Sequence, residues 1–155
     1  AGALTSGDPD ARWWAACALA RVSDPRATAA LVSAAADPDS NVRASVLHAL
    51  GQRGAAEAVT PLLFALSDPS PYLARLAADA LIRLGPPAVP ALARALQNDA
   101  APHVRTNAAR ALALIGDQSA IPALFGALED DSVMVQYWAE EGLERLGAGM
   151  VYCKP

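Results

Sequence analysis

Apolar positions along this chain recur with a period much longer than one helical turn. Leu19, Leu50, Leu81, Leu112 and Leu143 follow one another at steps of 31 residues. Ala18, Ala49, Ala80, Ala111 and Gly142 sit one position earlier. Ala11, Val42, Leu73, Val104 and Val135 keep the same step, as do Ser23, Gly54, Gly85, Gly116 and Gly147. Columns that hold register through the whole chain mark an internal repeat, each copy of which is one supersecondary unit. Within a copy the apolar residues fall at helical spacing, as at Val42, Val46, Ala49 and Leu50, which is one face of an amphipathic helix.

Each unit therefore reads as two helices. The first opens at an Asp-rich turn: Asp8-Pro9-Asp10, Asp37-Pro38-Asp39, Asp68-Pro69, Asp99 and Asp130-Asp131. Aspartate accepts hydrogen bonds from the unpaired N–H groups of a first turn and suits the positive end of the helix dipole. The glycine column is expected to close these helices in the left-handed conformation. Their predicted spans are 10–22, 40–53, 71–84, 102–115 and 133–146. A shorter helix follows over 28–36, 59–66, 89–96 and 121–128, with Pro61, Pro90 and Pro122 tolerated near its start. The linker Gly85-Pro86-Pro87 is one residue shorter than its counterparts.

The run Gly116-Asp117-x-x-Ala120-Ile121-Pro122-Ala123-Leu124-x-x-Ala127-Leu128, with Val-Arg pairs at Val42-Arg43 and Val104-Arg105, resembles the HEAT-like repeat of the phycobilisome lyases. The resemblance implies an all-α fold, a right-handed α-solenoid of about five two-helix repeats with the first incomplete, over residues 1–147, followed by a tail at 148–155. It implies that the proline-bearing helices lie outside and the Val-Arg helices line the concave side. It also implies that Arg12, Arg43 and Arg105 are structural and pair with turn aspartates, a ladder broken by Ala74 and Gln136. The first repeat lacks most of its outer helix, so the chain is expected to be a module of a longer protein.

Composition agrees with closely packed helices. Apolar residues make up 54% and aromatic residues 5%, too few rings for a typical sandwich or barrel. The net charge of −4 argues against a global grip on nucleic acid, which needs many cations on phosphates. No apolar run reaches the roughly 18 residues of a membrane span. Cys17 and Cys153 have no CxxC spacing, so a reducing cytoplasm is the expected compartment.

Candidate chemistry lies opposite the buried stripe of the first helices. At about 100° per residue, Ala11, Ala15, Ala18, Leu19 and Val22 are expected to be buried in the first of them, and positions 10, 13, 14, 17 and 21 to face the groove. Carried forward by the repeat, these positions collect the candidate partner-binding residues Trp13, Trp14, Arg21, His48, Tyr72, Arg75, Arg83, Arg110, Tyr137, Trp138 and Arg145. Aromatic and arginine side chains are the usual anchors of binding hot spots. The competing expectation is that the terminal repeats use large residues to cover their own ends. Arginines outnumber acids on this face, so an acidic or phosphorylated peptide suits it, as does a solvated face of local ion pairs.

Cys17, His48 and Asp79 share one column, but neighbouring helix axes about 8–10 Å apart are too far for a relay of hydrogen bonds. No metal or cofactor motif is present, and no catalytic residue is assigned. The expected function is a protein-interaction module or scaffold that takes a protein or peptide. Bilin handling, by resemblance to the lyases, and DNA binding of the HEAT-like glycosylase kind are the alternatives.

Overall fold

A computed structural model describes residues 2–149. The described residues contain helices and no strand. The longer helices are α1 (Pro9–Leu19), α3 (Ser40–Arg53), α5 (Pro71–Leu84), α7 (Pro102–Ile115) and α9 (Val133–Arg145). Between them lie α2 (Pro25–Ala34), α4 (Val59–Ala65), α6 (Val89–Asn98) and α8 (Ile121–Gly126). The predicted 121–128 helix ends early as α8, and a 3-10 turn, Ala127–Glu129, completes it. The helix predicted from residue 28 begins at Pro25, capped by Asp24.

The chain divides after Leu84 into two compact units. In the first, α1, α3 and α5 stack in order, with α2 on α3 and α4 on α5. In the second, α7 packs on α9, while α6 lies on α7 and α8 on α9. The repeating leucines form the cores: Leu50, Leu81 and Leu112 are fully buried and Leu143 nearly so. The alanine column explains the close stacking, because Ala49, Ala80 and Ala111 are buried where helices meet.

The first helix departs from expectation. Ala16 is its buried residue; Ala11, Ala15 and Leu19 are half-buried and Ala18 and Val22 exposed. The reason is packing: α3 has a long helix on each flank, whereas α1 has α3 on one flank and otherwise packs on α2 and the short 3-10 turn Gly2–Thr5. The helix also stops at Leu19, short of the predicted residue 22. Ser23 does not adopt the conformation of the glycine column. Instead Arg53 reaches from the end of α3 and donates to the carbonyls of Leu19 (3.0 Å), Val22 and Asp24 (2.9 Å) and to the Thr28 hydroxyl (2.8 Å). One guanidinium thereby ties the last residue of α1, the turn after it and the first turn of α2 together.

Gly54 and Gly116 are left-handed caps as expected. Gly85 differs, with φ 73° and ψ −140°. A residue before proline is excluded from helical ψ by the pyrrolidine ring, and positive φ with extended ψ is open essentially to glycine alone. The shorter linker is built on that conformation.

The turn aspartates have two duties. Asp8 and Asp39 cap α1 and α3. Asp37, Asp68, Asp99 and Asp130 instead accept the backbone N–H two residues on, closing the turn ahead of the helix. Three of these receive an arginine from 25 residues earlier: Arg12–Asp37 at 2.7 Å, Arg43–Asp68 at 3.1 Å and Arg105–Asp130 at 2.8 Å. Each of those arginines also donates to a carbonyl six residues before it: Ser6, Asp37 and Asp99. Twenty-five forward and six back is one repeat, so each guanidinium ties two successive turns. Gln136 keeps the backward half alone, donating to the Asp130 carbonyl at 2.6 Å. Ala74 is buried and supplies no rung.

Candidate functional site

The helical phase that buries Leu50 and Leu81 turns the other side of each stacked helix outward. In the first unit this side forms an open cleft of about 660 Å³. Its walls are Trp13, Trp14, Cys17 and Arg21 from α1 and its trailing turn, Ser45, His48 and Gln52 from α3, and Tyr72 and Leu76 from α5. Trp14 and Tyr72 are 68% and 67% exposed and Trp13 36%, so the rings form a surface instead of filling the core. Trp13 and Trp14 meet edge to face, centroids 4.8 Å apart at 84°, a favoured aromatic geometry.

Polar groups lie along the same walls. His48 Nε2 and Gln52 Nε2 are 2.9 Å apart. The amide donating to an unprotonated ring nitrogen satisfies both. Among the described residues Cys17 makes no hydrogen bond and His48 makes its one to Gln52, so no nucleophile–base relay is assembled on this row. Arg21 makes neither an ion pair nor a side-chain hydrogen bond among the described residues, and it is the one permanently charged side chain of the lining.

The other candidates are placed elsewhere. Arg75 and Arg83 are exposed on α5 outside the cleft. Arg110 is half-buried on α7. On α9, Tyr137 and Trp138 form an edge-to-face pair at 5.3 Å and 76°, with Tyr137 exposed and Trp138 half-buried. Arg145 is spent on Glu141 at 2.7 Å, one helical turn away. Among the described residues no cluster of histidine, cysteine, aspartate and glutamate suits a metal ion. No helix there is long and apolar enough to cross a membrane. Sequence reasoning missed a second opening of about 350 Å³, lined by Val32, Ala35, Pro61 and Phe64 beside the Arg43–Asp68 pair. Its signal was available, since Phe64 is a large apolar residue at an outward position and is 80% exposed.

The HEAT repeats family matches residues 1–66 and 59–144, nearly the whole chain. The chain belongs to the HEAT-repeat family. Its α-solenoid class is shared by solved structures. The structure of the complex of CpcE and CpcF of phycocyanin lyase from Nostoc sp. PCC7120 is similar at 30% identity and TM-score 0.64, over 97% of this chain. This HEAT-repeat chain spans 65% of the length of that one. An engineered protein is similar at 26% identity and TM-score 0.56, over 94% of this chain and 76% of its own. A designed armadillo repeat protein in complex with the peptide (KR)4 shares the fold at 19% identity and TM-score 0.55, over 94% and 79% of the two chains. Comparison with curated proteins returned no match. A repeat solenoid of this kind is consistent with a protein-interaction scaffold, because stacking leaves one extended face of side chains free of core duty.

Proposed function

We propose that this HEAT-repeat chain is a protein-interaction module that takes a peptide or a protein surface on the aromatic cleft of its first unit. The observation that carries this reading is the exposure of Trp13, Trp14 and Tyr72 around one cleft while Leu50 and Leu81 behind it are sealed. Rings held open on a stacked, alanine-tight scaffold cost little conformational entropy on binding, which is what an anchor residue requires. The test is capture of partners by the full chain and by a Trp13→Ala/Trp14→Ala variant of equal helicity. Loss of the captured protein in the variant supports the reading; equal capture overturns it.

A second reading draws on the 30% identity to the CpcE and CpcF complex, a phycocyanin lyase structure, and on Cys17 standing beside the indoles. Under it the cleft handles a tetrapyrrole. Titration of the chain with a free bilin decides it: an absorbance shift that disappears in Trp14→Ala favours the reading, and an unshifted spectrum removes it.

A further inference from the structure

Resting on the interaction reading above, we infer that the cleft selects a peptide segment whose apolar side chain and carboxylate are set about 10 Å apart. The cleft is polarised along the helix direction. Tyr72 lies at its N-terminal end, Trp13, Trp14 and Leu76 follow, then Cys17 and His48, and Arg21 and Gln52 close the far end. Trp14 and Arg21 are seven residues apart, two helical turns on the same side of α1 and its trailing turn, hence on the order of 10 Å at about 1.5 Å per residue.

Charge decides what the far end accepts. Arg12, Arg26, Arg43, Arg105 and Arg145 each hold a carboxylate of this chain. Among the described residues Arg21 holds none, and no aspartate or glutamate lines the cleft with it. A guanidinium presents a planar fork that fits a carboxylate through two parallel hydrogen bonds. The opposite end offers aromatic faces and no charge. In the polyproline-II form, with three residues per turn at about 3.1 Å each, side chains at i and i+3 point the same way roughly 9 Å apart, so the apolar and acidic side chains fall at i and i+3. Between them Ser45 and His48 supply polar atoms in reach of a peptide main chain.

The probes are eight-residue capped peptides in a glycine-serine background, followed by tryptophan fluorescence and calorimetry with the full chain. One carries Phe-Gly-Gly-Glu, one Phe-Gly-Gly-Gln and one Phe-Glu-Gly-Gly. An eight-nucleotide thymidine oligomer is the fourth probe. The Phe-Gly-Gly-Glu peptide is expected to bind best, with the glutamine and short-spaced versions weaker by about three- to fivefold, as befits an exposed ion pair. Arg21→Gln is expected to erase the preference for glutamate over glutamine. Equal binding of the glutamate and glutamine peptides, a preference that survives in Arg21→Gln, or tighter binding of the oligonucleotide each overturns acid selection. If the peptides bind alike and all lose binding in Trp14→Ala, acid selection fails and the cleft reading stands. Binding of none of the peptides at millimolar concentration overturns both.

Discussion

Gly51 on α3 faces Ala80 on α5 so closely that a Cβ at residue 51 would lie 2.8 Å from the Ala80 Cβ and 2.9 Å from its Cα. Two repeats later the same pair of positions is filled in reverse, by Ala113 on α7 and Gly142 on α9. There a Cβ at residue 142 would stand 3.0 Å from the Ala113 Cβ. Each crossing has room for one methyl group. Gly51→Ala is therefore expected to destabilise the fold by about 1–3 kcal/mol through overpacking, more than the gain of up to about 1 kcal/mol in helix propensity. Adding Ala80→Gly should restore most of the loss by copying the arrangement at residues 113 and 142. Urea melts of the three variants check this; a double variant no more stable than Gly51→Ala alone would falsify the one-methyl rule.

The arginine ladder predicts an acid response. Arg12 donates to both Asp37 oxygens, at 2.7 and 3.0 Å, and this hydrogen bonding holds the Asp37 carboxyl below the usual carboxylate range. Arg105 does the same to Asp130. A carboxyl depressed in the folded state binds fewer protons there than in the unfolded chain. Its stabilisation is thus complete above the ordinary aspartate value, near pH 4, and is lost as the pH falls through the folded value. Asp37→Asn should melt several degrees lower at neutral pH, since it leaves Arg12 without its partner. It should also lose less stability than the parent between about pH 5 and pH 3. Parallel acid limbs for the two proteins would show that the pair is not the source of the response.

The long helices, and the caps at Asp8, Asp39, Gly54 and Gly116, were legible in the sequence because each repeat must solve the same packing problem, and like solutions stand one repeat apart. Leu50, Leu81 and Leu112 are buried alike for that reason. What the columns could not convey is where a copy lacks a neighbour. Leu19 and Val22 occupy the same columns as Leu50 and Arg53, yet lie partly open because α1 has a long helix against one flank only. Gly85 was locally readable, since proline follows it, and its departure from the left-handed cap is that local rule. For the candidate site, helical phase alone put the indoles outside the core. Which arginines were free was not legible, except for Arg145, whose Glu141 lies one turn back. Pairing across 25 residues depends on how turns stack, and that is a property of the fold.

Arg53 is the clearest of the non-local residues. Its guanidinium bonds two carbonyls at the end of α1, one at the start of α2 and the Thr28 hydroxyl. The equivalent position in the other repeats is Val22, Leu84, Ile115 or Leu146, none of which can donate. Arg53→Met keeps an apolar stem but removes the donors. The expected result is faster amide exchange through the segment 19–28, with α5 protected as before. Exchange that rises evenly over α1, α3 and α5 would mean that Arg53 supports the whole stack and not this turn.

The aromatic cleft makes the sharpest separation between recognition and end-packing. Trp14 is 68% exposed, so a ring that served mainly to seal the stack would have to do so with most of its surface in water. Leu50 supplies the contrast, being fully buried between helices. Leu50→Ala is expected to cost about 2–5 kcal/mol, the usual range for a core leucine. Trp14→Ala should stay within roughly 1 kcal/mol of the parent, because it removes an exposed ring and its edge contact with Trp13. Trp13→Ala should fall between the two, its ring being 36% exposed and the Trp13 carbonyl accepting the Ser45 hydroxyl at 3.5 Å whatever the side chain. Chemical melts of the three variants, taken with their partner capture, give two independent coordinates for each residue. A Trp14→Ala loss as large as that of Leu50→Ala would place the indole in the structural class and remove the anchor from the binding argument. A small loss of stability with a large loss of capture is the pattern that an exposed ring on a rigid helix must produce if its contacts are made with another molecule.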